Sequence, residues 1–307
     1  MIKVAIAGTS GLAQYIAHYI STQTHHQFIF LSRYNNPGLA AKGWQVLKVD
    51  YSNSSSLRYA LTGIDTVIST ISGEAEIALI DAAAHVHVRR FVPSEFEGPP
   101  SMRPVANVLD RGNANSLARL QHYEQYGMQY AVFACGIFYE RFAPGGMAAF
   151  QLGKGTHIDG EGEYLMNIRT MKAEIPCFNV LGAPVVVCMT SAQDLARYIV
   201  AALDLPQWTT EFRVCGGRIT LGDILKEAEI MRGAQFEKVV VTDESLGNSL
   251  AYAKASGDLL HQWRLTHLLA TTAGCYDFGN LNLHSLVNVS PQKFRNWLHA
   301  AWTPVSQ

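Results

Sequence analysis
Hydrophobic residues in the first 134 positions come in short blocks, separated by polar or glycine-containing turns and by stretches of helical character. Ile2, Val4 and Ile6, with Ala5 and Ala7 between them, form a run that is apolar on both faces. A strand buried inside a parallel sheet has this pattern. Gly8-Thr9-Ser10-Gly11 follows as a turn poor in side chains, and helical character resumes over 12–22. Further strands are expected at Phe28–Leu31, Gln45–Val49, Thr66–Thr70, Arg90–Val92 and Gln129–Ala134, with helices over 54–62, 74–86 and 113–126. The serines at 54–56 are the expected cap of the first of these helices. Regular alternation of strand and helix predicts an α/β fold, a doubly wound parallel sheet with right-handed crossovers.

Beyond Gly136 the pattern loosens, and glycine clusters at 144–146, 153–155 and 160–162 punctuate short segments. A helix over 192–203, opened by Asp194, and a strand at Arg213-Val214 read as a return to the sheet. Thr220 is the expected cap of a helix over 221–232, and the chain closes on an amphipathic helix from Pro291 to Trp302, with Phe294, Leu298 and Trp302 on one face. At 307 residues the chain exceeds a single doubly wound sheet. The expected division is a nucleotide-binding unit over 1–140, completed by 190–216, and a smaller α+β substrate-binding region over 141–307.

Strand, glycine turn and helix together form the opening of a Rossmann dinucleotide-binding unit, in which amides and a helix N-terminus meet a pyrophosphate. Gly8, Thr9, Ser10, Gly11, Leu12 and Ala13 are its candidate contacts, although the third glycine position of the pattern holds Gln14. An acidic residue at the end of the second strand would select NAD; Arg33 stands there instead and selects NADP(H) through its 2′-phosphate. Asp50 ends the third strand, where an adenine edge is expected. Ser69, Thr70, Ile71 and the segment Pro93-Ser94-Glu95-Phe96 follow the fourth and fifth strands, at the end of the sheet where ligands gather.

Composition narrows the partners. Charged residues make up 16% of the chain and the net charge is −1, which leaves no electrostatic footprint for nucleic acid or an anionic membrane. No run of 18 apolar residues occurs and the chain opens on a strand rather than a signal peptide, so a cytoplasmic protein is expected. Five cysteines without a C-x-x-C pair fit free thiols in a reducing compartment. His85 and His87, two apart, do not face each other, and no metal site is expected. Oligomeric state leaves no readable mark.

The segment Arg89-Arg90-Phe91-Val92-Pro93-Ser94-Glu95-Phe96 closely resembles the R-F-x-P-S-E-F-G segment of NmrA-like and isoflavone-reductase-like atypical short-chain dehydrogenases. Gly8–Gly11, Arg33 and Gly136-Ile137-Phe138 sit where that family has counterparts, and the likeness extends through the closing helix with Trp297. The chain most resembles the fungal NmrA-like oxidoreductases, some of which serve secondary metabolism. The resemblance implies NADPH or NADP⁺ between a Rossmann unit and a small substrate domain, with Phe96, Gly136, Ile137 and Phe138 beside the substrate.

Reduction of a carbonyl or alkene needs a proton source as well as a hydride. No tyrosine here has lysine four residues on, and the lysine that the resembling family carries on the helix about eleven residues before its E-x-G turn falls on Ser116, counting back from Gly127. No lysine occurs from Val49 to Gly153. Tyr139, Ser116 and Tyr123 are the candidate replacements, with His157, Lys154 and Lys172 able to reach in from the second region. Three readings remain open: an NADPH-dependent reductase of a small apolar or aromatic metabolite, a non-catalytic NADP(H)-sensing regulator, or a non-redox cyclase or isomerase.

Overall fold
The computed structural model describes residues 1–104 and 108–303. The first half runs β1 (Lys3–Ala7), α1 (Gly11–Gln23), β2 (Gln27–Ser32), α2 (Pro37–Ala40), β3 (Val46–Lys48), α3 (Ser54–Leu61), β4 (Thr66–Ser69), α4 (Glu74–His85), β5 (Arg90–Val92), α5 (Asn113–Glu124), β6 (Gln129–Tyr130) and β7 (Val132–Ala134). Its strands form a parallel sheet in the order β3-β2-β1-β4-β5-β6, the doubly wound Rossmann arrangement. β1, β4 and β5 are buried almost throughout, which is why their sequences are apolar on both faces.

The strand expected over 129–134 is divided between two neighbours. The Ala131 amide donates to Phe91 of β5, and the Val132 amide donates to Thr210. β7 then pairs in parallel with β12 (Glu211–Arg213), so the chain returns to extend the sheet, starting two residues before the expected Arg213-Val214 and ending one before it. Between them lie β8 (Ile137–Phe138), β9 (Met166–Asn167), β10 (Lys172–Ile175), β11 (Val186–Thr190) and α6 (Ala192–Ala202). After β12 come β13 (Gly217–Thr220), α7 (Leu221–Arg232), β14 (Glu237–Val240), α8 (Asp243–Ser256), α9 (Leu259–Thr272) and α10 (Phe294–Trp302). β11 joins β8 and β13 in one small sheet, and β10 joins β14 and β9 in another.

Helix α6 packs on α1, and its Leu195, Ile199 and Val200 enter the same core as Val4, Ile6 and Ile16. A second core, around Tyr139, Phe142, Tyr164, Leu265 and Trp297, belongs to the later half. Arg90, the second arginine of the motif, ties the two stretches together. It is 1% exposed, donates to the carbonyls of Leu203, Leu205 and Pro206, and stacks over Trp208 at 4.8 Å.

Three caps correct the expectation. Asn53, not the serines, caps α3 by accepting from the Ser55 and Ser56 amides. Ser191 caps α6 by accepting from the amide of Asp194, the residue expected to open it. α10 begins at Phe294 because Gln292 is already committed: its amide donates to Asp194 and its carbonyl accepts from Tyr139. Thr220 caps α7 as expected. Between β5 and α5 lie short 3₁₀ turns at Pro100–Met102 and Val108–Asp110, and positions 105–107 lie outside the described residues. Among the described residues no helix is long and apolar enough to cross a membrane.

Candidate active site
A cleft of about 810 Å³ opens at the carboxyl ends of β1, β4 and β5 and is closed by the segment 147–159 and by α9. Its outer end is the glycine turn. Gly8 has φ +98°, and a Cβ there would lie 2.4 Å from the Thr70 hydroxyl, so the turn excludes any other residue. Ser10, at the N-cap of α1, offers no side-chain cap, which leaves helix amides without an intrahelical acceptor at the cleft wall. Arg33 reaches the same end fully exposed, its guanidinium 5.9 Å from the Tyr34 ring. An uncapped helix N-terminus and an exposed arginine at the second strand end fit a dinucleotide carrying a 2′-phosphate.

The turn is also tied to the second half. The Gly11 amide donates to the Gln151 carbonyl at 3.1 Å, and a Cβ on Gly11 would lie 1.8 Å from the Phe150 carbonyl oxygen. Gln14 takes part: its side-chain nitrogen lies 3.1 Å from both the Thr9 carbonyl and the Gln151 side-chain oxygen. The residue that departs from the glycine pattern therefore fastens the 147–152 segment to the turn.

Gly8, Thr9, Ser10, Leu12, Arg33, Thr70, Ile71 and Ser94 line the cleft, as do Phe96, Gly136, Ile137 and Phe138. The other expected contacts are turned away for identifiable reasons. Gly11 and Ala13 are buried beneath the turn, and the Ser69 hydroxyl donates to the Ile71 carbonyl. Asp50 is exposed and accepts from the Ser52 amide and hydroxyl, while its neighbour Tyr51 lines the cleft. The motif alternates: Ser94 and Phe96 face the cleft, Pro93 is buried, and Glu95, 1% exposed, is gripped by Arg103.

None of the three catalytic candidates lines the cleft. The Tyr139 side chain is fully buried against Phe294 and Trp297, and its hydroxyl donates to Gln292. Ser116 donates at 2.9 Å to Glu76, whose other oxygen accepts the Ser94 amide; this pair stands behind the cleft wall. Tyr123 donates to Asp81 on the outer face of α4 and α5. Lys172 pairs with Glu237 and His157 stacks on Trp263, whereas Lys154 does line the cleft.

The inner end holds residues that sequence reasoning did not single out for this place: Glu97, Arg111, Arg141, His267 and Tyr276. They come from a loop, a 3₁₀ turn, α9 and the turn after it, so no local spacing joins them. Burial works against the Glu97 carboxylate, but Arg111, 3.1 Å away, together with the fields of His267, Arg103 and Arg141, holds the carboxyl below its ordinary value. Burial and then the field of Arg141 push the His267 imidazole down to about 3, so it is neutral at physiological pH. Burial pushes the Tyr276 phenol well up, and its oxygen lies 3.1 Å from Nδ1 of His267.

This fold defines an α/β protein of the Rossmann class, with one cleft running from the glycine turn to the inner residues. The profile of the NmrA-like family matches residues 2–266, and the chain belongs to that family. It is 26% identical to oxidoreductase BOA1 of Botryotinia fuckeliana (strain B05.10), over 97% of this chain and 98% of that protein. It is 23% identical to isoflavone reductase homolog A622 of Nicotiana glauca, over 78% and 77% of the two. Among solved structures, the leucoanthocyanidin reductase–NADPH complex from Vitis vinifera superposes with a TM-score of 0.73 at 18% identity, covering 97% of this chain and 98% of that one. The NADPH-dependent quinone oxidoreductase QOR2 from Escherichia coli superposes with a TM-score of 0.71 at 17% identity, over 98% and 100%.

Proposed function
We propose that this chain is an NADPH-dependent reductase of a small apolar or aromatic metabolite. The observation that carries the reading is one continuous cleft, running from an exposed arginine and an uncapped helix N-terminus to a walled pocket beyond Phe96. Residues 1–140 with 190–216 hold the cofactor, and 141–307 close over the substrate. NADPH, when bound, supplies the hydride. The chain's own part is to bind the acceptor against Phe96, Ile137 and Phe138 and to deliver a proton as negative charge develops. Tyr276 is the proton donor in this reading, since it lines the inner cleft and its hydroxyl lies 3.1 Å from Nδ1 of His267.

The absence of any lysine between Val49 and Gly153 favours a second reading, a regulator that binds NADP(H) without turnover. Calorimetric titration with NADPH, NADP⁺ and NADH, followed by an NADPH-oxidation screen over enones, quinones and aryl ketones, separates the two. Turnover that falls at least about 100-fold in Tyr276→Phe, with NADPH affinity unchanged, supports the reductase. Tight NADPH binding without consumption of any acceptor supports the regulator, and no binding of either phosphorylated cofactor removes both.

A further inference from the structure
Arg141 is a buried cation that forms no ion pair among the described residues. It follows Ile137 and Phe138 in the turn Tyr139–Phe142, lines the inner cleft and is 6% exposed. One Nη donates to the Ile158 carbonyl at 2.9 Å, the Tyr164 ring lies 5.2 Å away, and the buried Nε has no hydrogen-bond partner. Among the described residues no carboxylate comes within ion-pair distance of it, although Arg103 is held by Glu95 and Asp110 and Arg111 by Glu97. Arginine cannot relieve such a position by losing its proton.

The neighbouring groups do not complete an ion pair with it. His267 is neutral, and burial keeps the phenols of Tyr164 and Tyr276 protonated. Glu97 is paired with Arg111; the field of Arg141 reaches it too, but no ion pair forms between Arg141 and Glu97. Glu140, next in the chain, points its carboxylate to the Ala192 amide at the start of α6. Asp159 lines the cleft beside Ile158 but forms no ion pair with Arg141. A guanidinium that lines a cleft and keeps an unpartnered Nε–H is matched in charge by a carboxylate.

We propose that Arg141 receives a carboxylate of the substrate, so that the acceptor is a small unsaturated or aromatic acid rather than a neutral ketone. The inference rests on the reductase reading of the cleft for the acid's being reduced, but its binding is measured separately. Cinnamate, benzoate and their methyl esters are titrated into the protein with and without saturating NADPH, followed by calorimetry. The acids should bind about tenfold or more tightly than their esters. Arg141→Gln should lose that preference, Arg141→Lys should keep part of it, and NADPH affinity should stay unchanged in both.

Esters binding as well as acids, no acid binding at millimolar concentration, or an Arg141→Gln protein that still prefers acids would each overturn the proposal. So would a fall in NADPH affinity in Arg141→Lys, because the arginine would then serve the cofactor's phosphates. If Arg141→Gln does not fold, the acid-to-ester ratio of the wild type and the Arg141→Lys variant still decide. Failure of the reductase reading is distinct: acids bind, and no NADPH is consumed.

Discussion

Arg33 is free to meet a phosphate because nothing in the described structure holds it. Its guanidinium lies near the Tyr34 ring and forms no ion pair. Arg33→Ala should therefore weaken NADPH by more than about tenfold and leave NADH nearly unchanged, read by calorimetry. Equal losses for both cofactors would remove the 2′-phosphate argument. His267 is the opposite case, a titratable group sealed from water. Its folded value of about 3 lies below the ordinary value of 6.5, so between these limits the unfolded chain binds the extra proton. Its contribution is intact above pH 6.5 and is lost as pH falls toward 3. The slope approaches one proton, about 1.4 kcal/mol per pH unit. Burial lifts Glu140 to about 7, which gives the opposite slope between 4.5 and 7. Denaturant titrations of wild type and His267→Gln at each pH isolate the histidine, because Glu140 is common to both. A difference that does not change between pH 6.5 and 4.5 would show that the imidazole titrates normally.

At the scale of elements, the glycine turn and the segment over it behave as one unit. Gly11 is demanded by the Phe150 carbonyl as much as by any ligand, since an added Cβ would lie 1.8 Å from it. Gly11→Ala should cost about 1–3 kcal/mol by overpacking, and amide exchange should rise at 147–152 as that segment is pushed off the turn. Unchanged exchange there would mean that the contact is absent in solution. The same comparison explains what could be read beforehand. β1 was legible because a strand buried on both faces carries a nearly continuous apolar run, β4 and β5 from the apolar pairs Val67-Ile68 and Phe91-Val92, and the turn because glycine alone suits it. β14 was not, since all four of its residues are exposed, and α8 buries only Leu246 and Ala253. The inner pocket was illegible for another reason. Arg141, His267 and Tyr276 are ordinary residues until α9 folds against the turn after β8, and only the fold makes them neighbours. Tyr139 had the right address, at the ligand end of the sheet, but its ring completes the core beneath α10.

Across the whole molecule, the cleft is the seam between two cores. Leu12 belongs to the first, which Met147 and Leu152 of the later half also join, while Ile137 and Tyr276 belong to the second; all five line the cleft. A ligand in this seam stabilises both sides at once, because opening either would lose its contacts. NADPH at about a hundred times its Kd adds ~2.7 kcal/mol. For a chain of 307 residues this corresponds to a rise in Tm of roughly 4 °C. Calorimetric scans should show the rise in one transition, with amide protection gained at 8–14 and also at 147–156. Protection confined to 8–14, with an unmoved second transition, would mean that the later half only neighbours the cofactor. The substrate pocket would then have to form some other way.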